Sequence, residues 1–156
     1  MIKSFKDEYA FLSNFYPSEI EVGGETYATV EHAFQAGKTL NEAERREIRL
    51  ASTPGRAKRL GRKAALRPDW ETFKFEWMET LLRLKFADPA LAAKLKGTAP
   101  QELVEGNTWN DRVWGVCRGT GQNHLGRLLM KPQSWLREYF LPVMTIFRRT
   151  NDSWRT

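Results

Sequence analysis

Residues 69–86 read DWETFKFEWMETLLRLKF, and this stretch decides the fold class. Large apolar side chains recur in it at helical spacing, which predicts one long helix with a core-facing stripe made of Trp70, Phe73, Trp77, Leu81 and Leu84. Asp69 stands where an N-cap residue would stand, directly before that stripe. The stretch therefore predicts a helix from Trp70 to about Phe86 that packs against the rest of the chain.

Shorter helices are predicted on both sides by their start signals. Thr29 precedes a helix through about Leu40, and Asn41 with Glu44 has the form of a capping box for a helix to about Ala51. Residues 53–54 and 88–89 are each a cap residue followed by proline, which suits the first turn of a helix. Besides the long helix, the predicted helices are these four, one that begins after residue 123 and one at residues 133–140.

Extended structure is predicted near the amino terminus and after the long helix. Gly23 and Gly24 separate two short runs of strand-forming residues, and such a pair suits a hairpin turn that needs positive φ. Residues 101–107 read as a short strand or extended segment. The predicted fold is thus α+β and mainly α-helical, a compact single domain over residues 1–156 with a small N-terminal β-hairpin.

Composition bounds the class of protein. The chain has 156 residues, 41% of them hydrophobic, and a single cysteine, so an internal disulfide is excluded. The two histidines and one cysteine make a structural zinc site improbable, and neither a metal nor another cofactor is expected. No apolar run long enough to span a bilayer and no secretory leader is found, which predicts a cytoplasmic protein without a membrane partner.

The net charge of +6 is concentrated in one segment. Residues 41–67 hold nine Lys or Arg against three Asp or Glu, and the remainder of the chain is neutral. Such a segment indicates an anionic partner: a phosphorylated metabolite, a nucleotide, or DNA or RNA contacted through residues 41–67. A solvated surface that keeps the protein soluble explains the same charge equally well.

Polar residues of the first helix form the first candidate site. In residues 27–38, YATVEHAFQAGK, the side chains of Glu31, Gln35 and Lys38 share a face at the border of the apolar stripe. A carboxylate, an amide and an amine placed there could ring the floor of a cleft. The alternative is a structural Glu–Lys boundary pair supported by the glutamine.

Two further stretches offer candidate binding groups. Residues 103–115 place Trp109 and Trp114 beside Asp111 in a loop-like region, where aromatic side chains often stack on flat ligands. The alternative is that these tryptophans cover the core. Residues 119–126 are a glycine turn in which Asn123 could cap a helix whose free N–H groups bind phosphate, or the turn could be purely structural.

Taken in order, five motifs resemble one family. They are FLSNFY at residues 11–16, TVEHAFQAGK at residues 29–38, LVE at residues 103–105, DRVWG at residues 111–115 and GQNHLGRLLM at residues 121–130. In this arrangement the chain resembles the NADAR, or YbiA-like, family from about residue 11 to residue 130.

The resemblance implies a compact, mainly helical α+β fold and N-glycosidase activity without a metal. Known family substrates include ribosylamino-pyrimidine phosphates of riboflavin synthesis and ADP-ribose attached to guanine, so reversal of nucleic-acid ADP-ribosylation is one implied function. By position, Glu31 is implied as the catalytic carboxylate, and Lys38 is a candidate for a covalent route. The pocket residues implied are Asn14, Phe15, Gln35, Lys38, Trp109, Asp111, Trp114 and Asn123.

The sequence therefore supports two possible functions of different classes. The first is an N-glycosidase that breaks the C1–N bond of a ribose-phosphate-containing N-glycoside. A carboxylate can stabilise the positive charge that builds on ribose, or activate water, and a neutral lysine can attack an open-chain imine. The second is a non-catalytic module that binds NAD or ADP-ribose, or a basic module that binds nucleic acid.

Overall fold

The computed structural model describes residues 1–131, and they form a mainly helical fold with two small sheets. The helices are a 3₁₀ helix at Asp7–Leu12 and the α-helices α1 (Val30–Ala36), α2 (Glu42–Arg49), α3 (Pro54–Gly61), α4 (Trp70–Lys85), α5 (Pro89–Lys96) and α6 (His124–Leu129). The strands are β1 (Ile20–Val22), β2 (Glu25–Tyr27), β3 (Gly106–Asn107) and β4 (Val116–Cys117). The predicted fold class is confirmed, while the helix predicted at residues 133–140 lies outside the described residues.

The N-terminal hairpin forms as its glycine pair predicts. β1 and β2 pair antiparallel with Val22 opposite Glu25, and Gly23 and Gly24 adopt φ of 63° and 78°. Side chains larger than hydrogen are strained in this region, so the glycines permit the two-residue turn. The hairpin leads the chain directly into α1.

Helix α1 lies at the centre of the fold and packs against α2, α3 and α4. Thr29 caps it, since its hydroxyl accepts a hydrogen bond from the backbone N–H of His32 at 3.2 Å. Trp77 of α4 donates its indole N–H to the carbonyl of Ala33 at 3.0 Å. The close approach of α4 requires Gly37, because a Cβ there would lie 2.2 Å from the Trp77 nitrogen.

The long helix α4 buries most of the predicted stripe. Trp70, Trp77 and Leu81 are buried, whereas Phe73 and Leu84 are only partly buried. Asp69 occupies the N-cap position but makes no side-chain cap; its carboxylate instead accepts two hydrogen bonds from Arg67, at 2.5 and 3.0 Å. The guanidinium competes successfully for the carboxylate because charge-assisted hydrogen bonds are the stronger ones.

The predicted capping box at α2 is only half formed. Asn41 accepts hydrogen bonds from the N–H groups of Ala43 and Glu44, as a cap residue does. The carboxylate of Glu44 does not return to Asn41; it accepts from the Thr39 hydroxyl at 2.5 Å and from the N–H of Ala65 at 3.2 Å. The side chain thus ties α2 to the segment that follows α3.

The segment that follows α5 is held by two backbone pairings. Leu103 pairs with Ile2, and β3 runs parallel to β4 with Gly106 opposite Val116. The extended structure predicted for residues 101–107 is therefore present, although only two of its residues form a strand. Among residues 1–131, no helix is both long and apolar enough to cross a bilayer, and the cytoplasmic location stays a prediction.

Candidate active site

The candidate site begins with two buried polar side chains of α1. Glu31 is 5% exposed and Gln35 is 3% exposed. The Gln35 amide donates a hydrogen bond to Glu31 Oε1 at 2.7 Å, as side chains one helical turn apart can. The backbone N–H of Glu31 is bonded to the carbonyl of Asn14 at 3.0 Å, which joins the loop after the 3₁₀ helix to the start of α1.

Lys38 lies just beyond α1 rather than on it. The helix ends at Ala36, four residues earlier than predicted, and the Lys38 N–H closes a tighter turn onto the Gln35 carbonyl at 3.2 Å. The side chain nevertheless reaches the same cavity as Glu31. Its amine forms no ion pair within 4.0 Å of Glu31 in the described part of the chain, which argues against the boundary-pair alternative.

These groups line a cavity of about 430 Å³. Its wall is shared by the N-terminal segment, α1, α3, α4, α6 and the loop around residues 105–114. The lining residues are Ser4, Phe5, Lys6, Ser13, Asn14, Phe15, Glu31, Phe34, Gln35, Lys38, Lys58, Met78, Glu105, Gly106, Trp109, Asp111, Trp114 and Leu125. All predicted site residues except Asn123 are among them.

Two exposed aromatic rings stand at this cavity. Phe15 is 42% exposed and Trp109 is 52% exposed, although each is large and apolar. The ammonium group of Lys58 lies 5.9 Å from the Phe15 ring centre and 5.8 Å from the Trp109 ring centre. A cation between two aromatic faces is suited to an aromatic ligand that carries phosphate.

The loop that carries Trp109 is organised by Asp111. Its Oδ1 accepts hydrogen bonds from the N–H groups of Val113 and Trp114, at 3.2 and 2.9 Å. Asn107 closes the loop, since its side chain exchanges two hydrogen bonds with the Asp111 backbone. Trp114 is partly buried and packs edge-on against Phe34 of α1, with ring centres 5.4 Å apart, so it both lines the cavity and joins the core.

Asn14 and its neighbours form another wall. The Asn14 amide contacts the sulfur of Met78 at 3.6 Å, and its Oδ1 is buried without a hydrogen-bond partner within the described residues. The loop is anchored from behind by Lys85, whose ammonium nitrogen donates to the Ser13 carbonyl at 2.7 Å. A buried acceptor beside the cavity is available to a ligand hydroxyl or amine.

Asn123 lies behind the cavity wall instead of in it. Its amide donates to the Leu103 carbonyl at 2.9 Å and its Oδ1 accepts from the N–H of Glu105 at 3.0 Å. It does not cap α6, because its backbone is left-handed with φ of 52°. The first N–H groups of α6 are also taken, by the carbonyls of Val113 and Trp114, and this contradicts a free phosphate-binding turn.

Burial and neighbouring charge set the ionisation of the two candidate catalytic groups. Burial raises the pKa of Glu31, while Lys58, the Gln35 hydrogen bond and Lys38 lower it, and Asp111 raises it. Burial lowers the pKa of Lys38, against the opposing attraction of Glu31, and Lys58 and Arg62 add to the decrease. The amine of Lys38 is therefore more easily deprotonated in this site than it would be in water.

Lys58, Glu105 and Met78 are among the lining residues that were not predicted as site residues. Lys58 was one charge within the basic segment, and nothing in the sequence distinguishes it from its neighbours. Glu105 belongs to the LVE motif at residues 103–105, but a single glutamate in an extended segment does not by itself indicate a function. Met78 reads as core. Within residues 1–131 no group of three or more His, Cys, Asp or Glu side chains is arranged to hold a metal ion.

Comparisons with known proteins agree with this architecture. The family model for the NADAR domain matches residues 2–137. N-glycosidase YbiA of Escherichia coli (strain K12) is 47% identical over 132 residues, which are 82% of each chain. The maize (Zea mays) protein named riboflavin biosynthesis protein PYRR, chloroplastic, is 38% identical over 147 residues, 82% of this chain and 23% of that protein.

A solved structure agrees as well. The NMR structure of the E. coli protein YbiA superposes with a TM-score of 0.77 at 44% identity, over 87% of this chain and 83% of that one. Since both the family model and a relative of similar length match most of the residues, the resemblance seen in the five motifs is confirmed. The chain belongs to the NADAR family.

Proposed function

We propose that this protein hydrolyses the C1–N bond of an N-glycoside whose sugar is a phosphorylated ribose. The enzyme class, a hydrolase of N-glycosyl compounds, is the one for which its relatives of similar length are named. The observation that carries the proposal is a buried carboxylate, Glu31, held by Gln35 on the wall of a 430 Å³ cavity that lysines and exposed aromatic rings share.

The carboxylate suits the bond that has to break. When the C1–N bond of a ribosylamine lengthens, positive charge develops over C1 and the ring oxygen, and a fixed carboxylate in a dry site stabilises that charge. Glu31 is fixed by its hydrogen bond from Gln35 and is nearly removed from solvent. In the same position it can orient the water that attacks C1.

Lys38 provides a second route for an exocyclic glycosylamine. The open-chain imine of such a substrate has an electrophilic C1, which a neutral amine can attack to form a Schiff base after the leaving amine departs. Water then hydrolyses the Schiff base and frees the lysine. Because burial lowers the pKa of Lys38, its neutral form is more accessible than that of an exposed lysine.

The mouth of the cavity fits the other half of the substrate. The exposed ring of Phe15 or of Trp109 can stack on a planar base, and the ammonium group of Lys58, which lies 5.9 and 5.8 Å from the two ring centres, can pair with a phosphate beside that base. Two substrates share these features: a ribosylamino-pyrimidine phosphate of riboflavin synthesis, and ADP-ribose attached to guanine. The name of the maize relative supports the first, and the basic segment at residues 41–67 supports a nucleic-acid-linked substrate.

A hydrolysis assay distinguishes these substrates. The wild-type protein would be incubated with a ribosylamino-pyrimidine phosphate, with DNA carrying ADP-ribosylated guanine, and with NAD, and the products separated by HPLC. Release of the free amine or of ADP-ribose supports the enzyme and identifies its substrate. Binding of these ligands with no turnover of any of them contradicts the proposal and favours the non-catalytic module.

Contact with DNA or RNA through residues 41–67 has its own test. Arg59, Arg62 and Lys63 are exposed near the end of α3, on the helix that also brings Lys58 to the cavity. Replacing Arg59 and Lys63 by Gln, with Arg62 kept because its charge lowers the pKa of Lys38, should weaken activity on the DNA-linked substrate and its dependence on salt, and leave the small phosphate substrate unchanged. Equal effects on both substrates contradict a nucleic-acid contact in this segment.

A further inference from the structure

Glu105 is a second carboxyl group on the wall of the same cavity, contributed by the extended segment between α5 and β3. Its backbone is fixed on both sides: its N–H donates to Asn123 at 3.0 Å and its carbonyl accepts from the N–H of Val116 at 2.8 Å. Gly115 packs against its side chain, since a Cβ at that position would lie 2.9 Å from Glu105 Cγ. The backbone and the Cγ of Glu105 are thus held in place by their neighbours.

The carboxyl group itself has no partner within the part of the chain that the structure describes. Glu105 Oε2 is buried and accepts no hydrogen bond, and no lysine or arginine lies within 4.0 Å of it among residues 1–131. Buried carboxylates are normally paired or bonded several times, because an isolated buried charge is costly. An unpaired carboxyl group is better tolerated when it carries a proton.

Burial, and then the neighbouring carboxyl groups, favour that protonated form. Burial raises the pKa of Glu105 to about 7, and the neighbouring carboxyls of Asp111 and Glu31 also raise it. Lys58 of α3 and Lys85 of α4 act in the opposite direction. Lys6 of the N-terminal segment also lines the cavity. At neutral pH the group is therefore divided between its acid and its base form, which suits proton transfer.

The other two carboxyl groups are already engaged. Glu31 accepts the Gln35 amide, and Asp111 accepts two backbone N–H groups of its own loop. These hydrogen bonds favour a negatively charged acceptor, and at Glu31 the bond from Gln35 and the charges of Lys58 and Lys38 oppose the burial that raises its pKa. Among the three carboxyl groups of this cavity, Glu105 is the one without a hydrogen bond in the described structure.

We infer that Glu105 is the general acid of the reaction: it protonates the nitrogen of the leaving group while Glu31 stabilises the ribosyl cation. The inference rests on the N-glycosidase function proposed above. The C1–N bond breaks, its electron pair stays on nitrogen, and the proton of Glu105 forms the new N–H bond. Water then adds to C1, and its proton returns to the Glu105 carboxylate.

The same proton is required on the lysine route. When the amine of Lys38 has added to C1, the leaving nitrogen must accept a proton before its bond to C1 can break as a neutral amine. The subsequent hydrolysis of the Schiff base adds water to C1 and returns the lysine. A residue that supplies the proton is therefore needed whichever route the substrate follows.

The test compares Glu105→Gln with Glu102→Gln, an exposed glutamate of the same segment. The substrate is the amine-releasing N-glycoside that the wild-type protein turns over best. Glu105→Gln should lower kcat about 10²- to 10⁴-fold, the usual range for loss of an acid–base group. It should also remove the decrease of kcat/KM above pH 7 that we expect of the wild type. Thermal unfolding confirms that the variant is folded.

A Glu105→Ala variant provides a second readout, since added formate should enter the space and restore part of the rate. The inference is overturned if the rate of Glu105→Gln is within about threefold of the wild-type rate, or if the variant is slow but keeps the decrease of kcat/KM at alkaline pH. Either result leaves the N-glycosidase function intact. Failure of formate to restore Glu105→Ala also contradicts it. A wild-type protein inactive on every N-glycoside overturns the proposed function, and the inference with it.

Discussion

The amide of Gln35 is held between a carboxylate and a glycine: its nitrogen donates to Glu31 Oε1 at 2.7 Å, and its oxygen rests against Gly61 of α3. The orientation of the candidate catalytic carboxylate therefore depends on how closely α3 packs on α1. A substituent at position 61 would act on the site without touching a ligand.

Gly61→Ala tests this dependence. Its Cβ would lie 2.0 Å from the Gln35 oxygen, so the amide has to move and its hydrogen bond to Glu31 is disturbed. We expect kcat to decrease at least tenfold and stability to decrease by about 1–3 kcal/mol, the usual cost of overpacking. The measurements are hydrolysis kinetics and thermal unfolding.

Gly55→Ala is the matched control, in the same helix. The nearest atom to a Cβ there is 3.9 Å away, in the flexible side chain of Arg59. Alanine at a compatible helical position should stabilise by about 0.5–1 kcal/mol with unchanged kinetics. Gly61→Ala with wild-type kinetics contradicts the role assigned to Gln35.

Trp109 is expected to act on binding more than on chemistry. Stacking of a base on an aromatic side chain contributes about 1–3 kcal/mol, so Trp109→Ala should raise KM roughly 5- to 150-fold with little change in kcat. Leu50→Ala, which removes an exposed apolar side chain directly after α2 and outside the cavity wall, is the control. A lowered kcat with unchanged KM is inconsistent with a clamp for the base.

Lys38 is the residue on which a covalent route depends. Treatment with borohydride during turnover, followed by mass spectrometry of peptides, should find the sugar on Lys38 if the amine attacks C1. Lys58 serves as the internal control, since it lines the same cavity and is placed here to hold phosphate. Absence of any adduct, together with an active Lys38→Ala variant, eliminates the covalent route and leaves Glu31 to act alone on the cation.

Glu105 should also be visible in the pH dependence of stability. Its pKa is raised from 4.5 to about 7 on folding, so the folded state binds the proton more tightly and stability is lost as pH rises through this window. Glu105→Gln should therefore be more stable than wild type at pH 8, by about 1–3 kcal/mol, and nearly equal to it at pH 4. Chemical denaturation at both pH values measures this.

The buried Lys85 makes the opposite contribution. Burial lowers its pKa from 10.5 to about 7, so stability is lost as pH falls through that range. The pH ranges in which Glu105 and Lys85 change the stability meet near pH 7. The stabilities of wild type and Glu105→Gln, which both contain Lys85, are therefore compared at pH 4 and at pH 8. A Glu105→Gln variant less stable than wild type at pH 8 would indicate a paired carboxylate at that position.

The fold was predictable wherever local signals decided it. Caps and prolines at residues 29, 41, 53–54 and 88–89 placed the starts of four helices, and Gly23 with Gly24 placed the hairpin turn. Local rules failed where a distant partner competed. Asp69 prefers the guanidinium of Arg67, and Glu44 prefers a hydroxyl and an N–H of the chain near α3, so neither completes its predicted cap.

Sequence spacing by itself predicted only the part of the cavity wall that one helix carries, and the family resemblance supplied the other predicted residues. Glu31 and Gln35 lie a helical turn apart, so their shared face follows from sequence spacing, and the family resemblance then favoured a site over a structural pair. Lys58 and Glu105 reach the cavity from α3 and from the segment before β3, and only the packing of these elements brings them together. For Asn123 the motif predicted a pocket residue, but its side chain bonds to the backbone of Leu103 and Glu105 and lies outside the cavity wall.

We propose Glu31 as the catalytic carboxylate of this N-glycosidase. The most direct measurement is the rate of amine release from a ribosylamino-pyrimidine phosphate, or from ADP-ribosylated guanine, by wild type and by Glu31→Gln, with the exposed Glu47→Gln as control. We predict that Glu31→Gln loses at least about 10²-fold in kcat yet still binds substrate and unfolds no earlier than wild type. Glu31→Gln turning over at the wild-type rate would contradict the account.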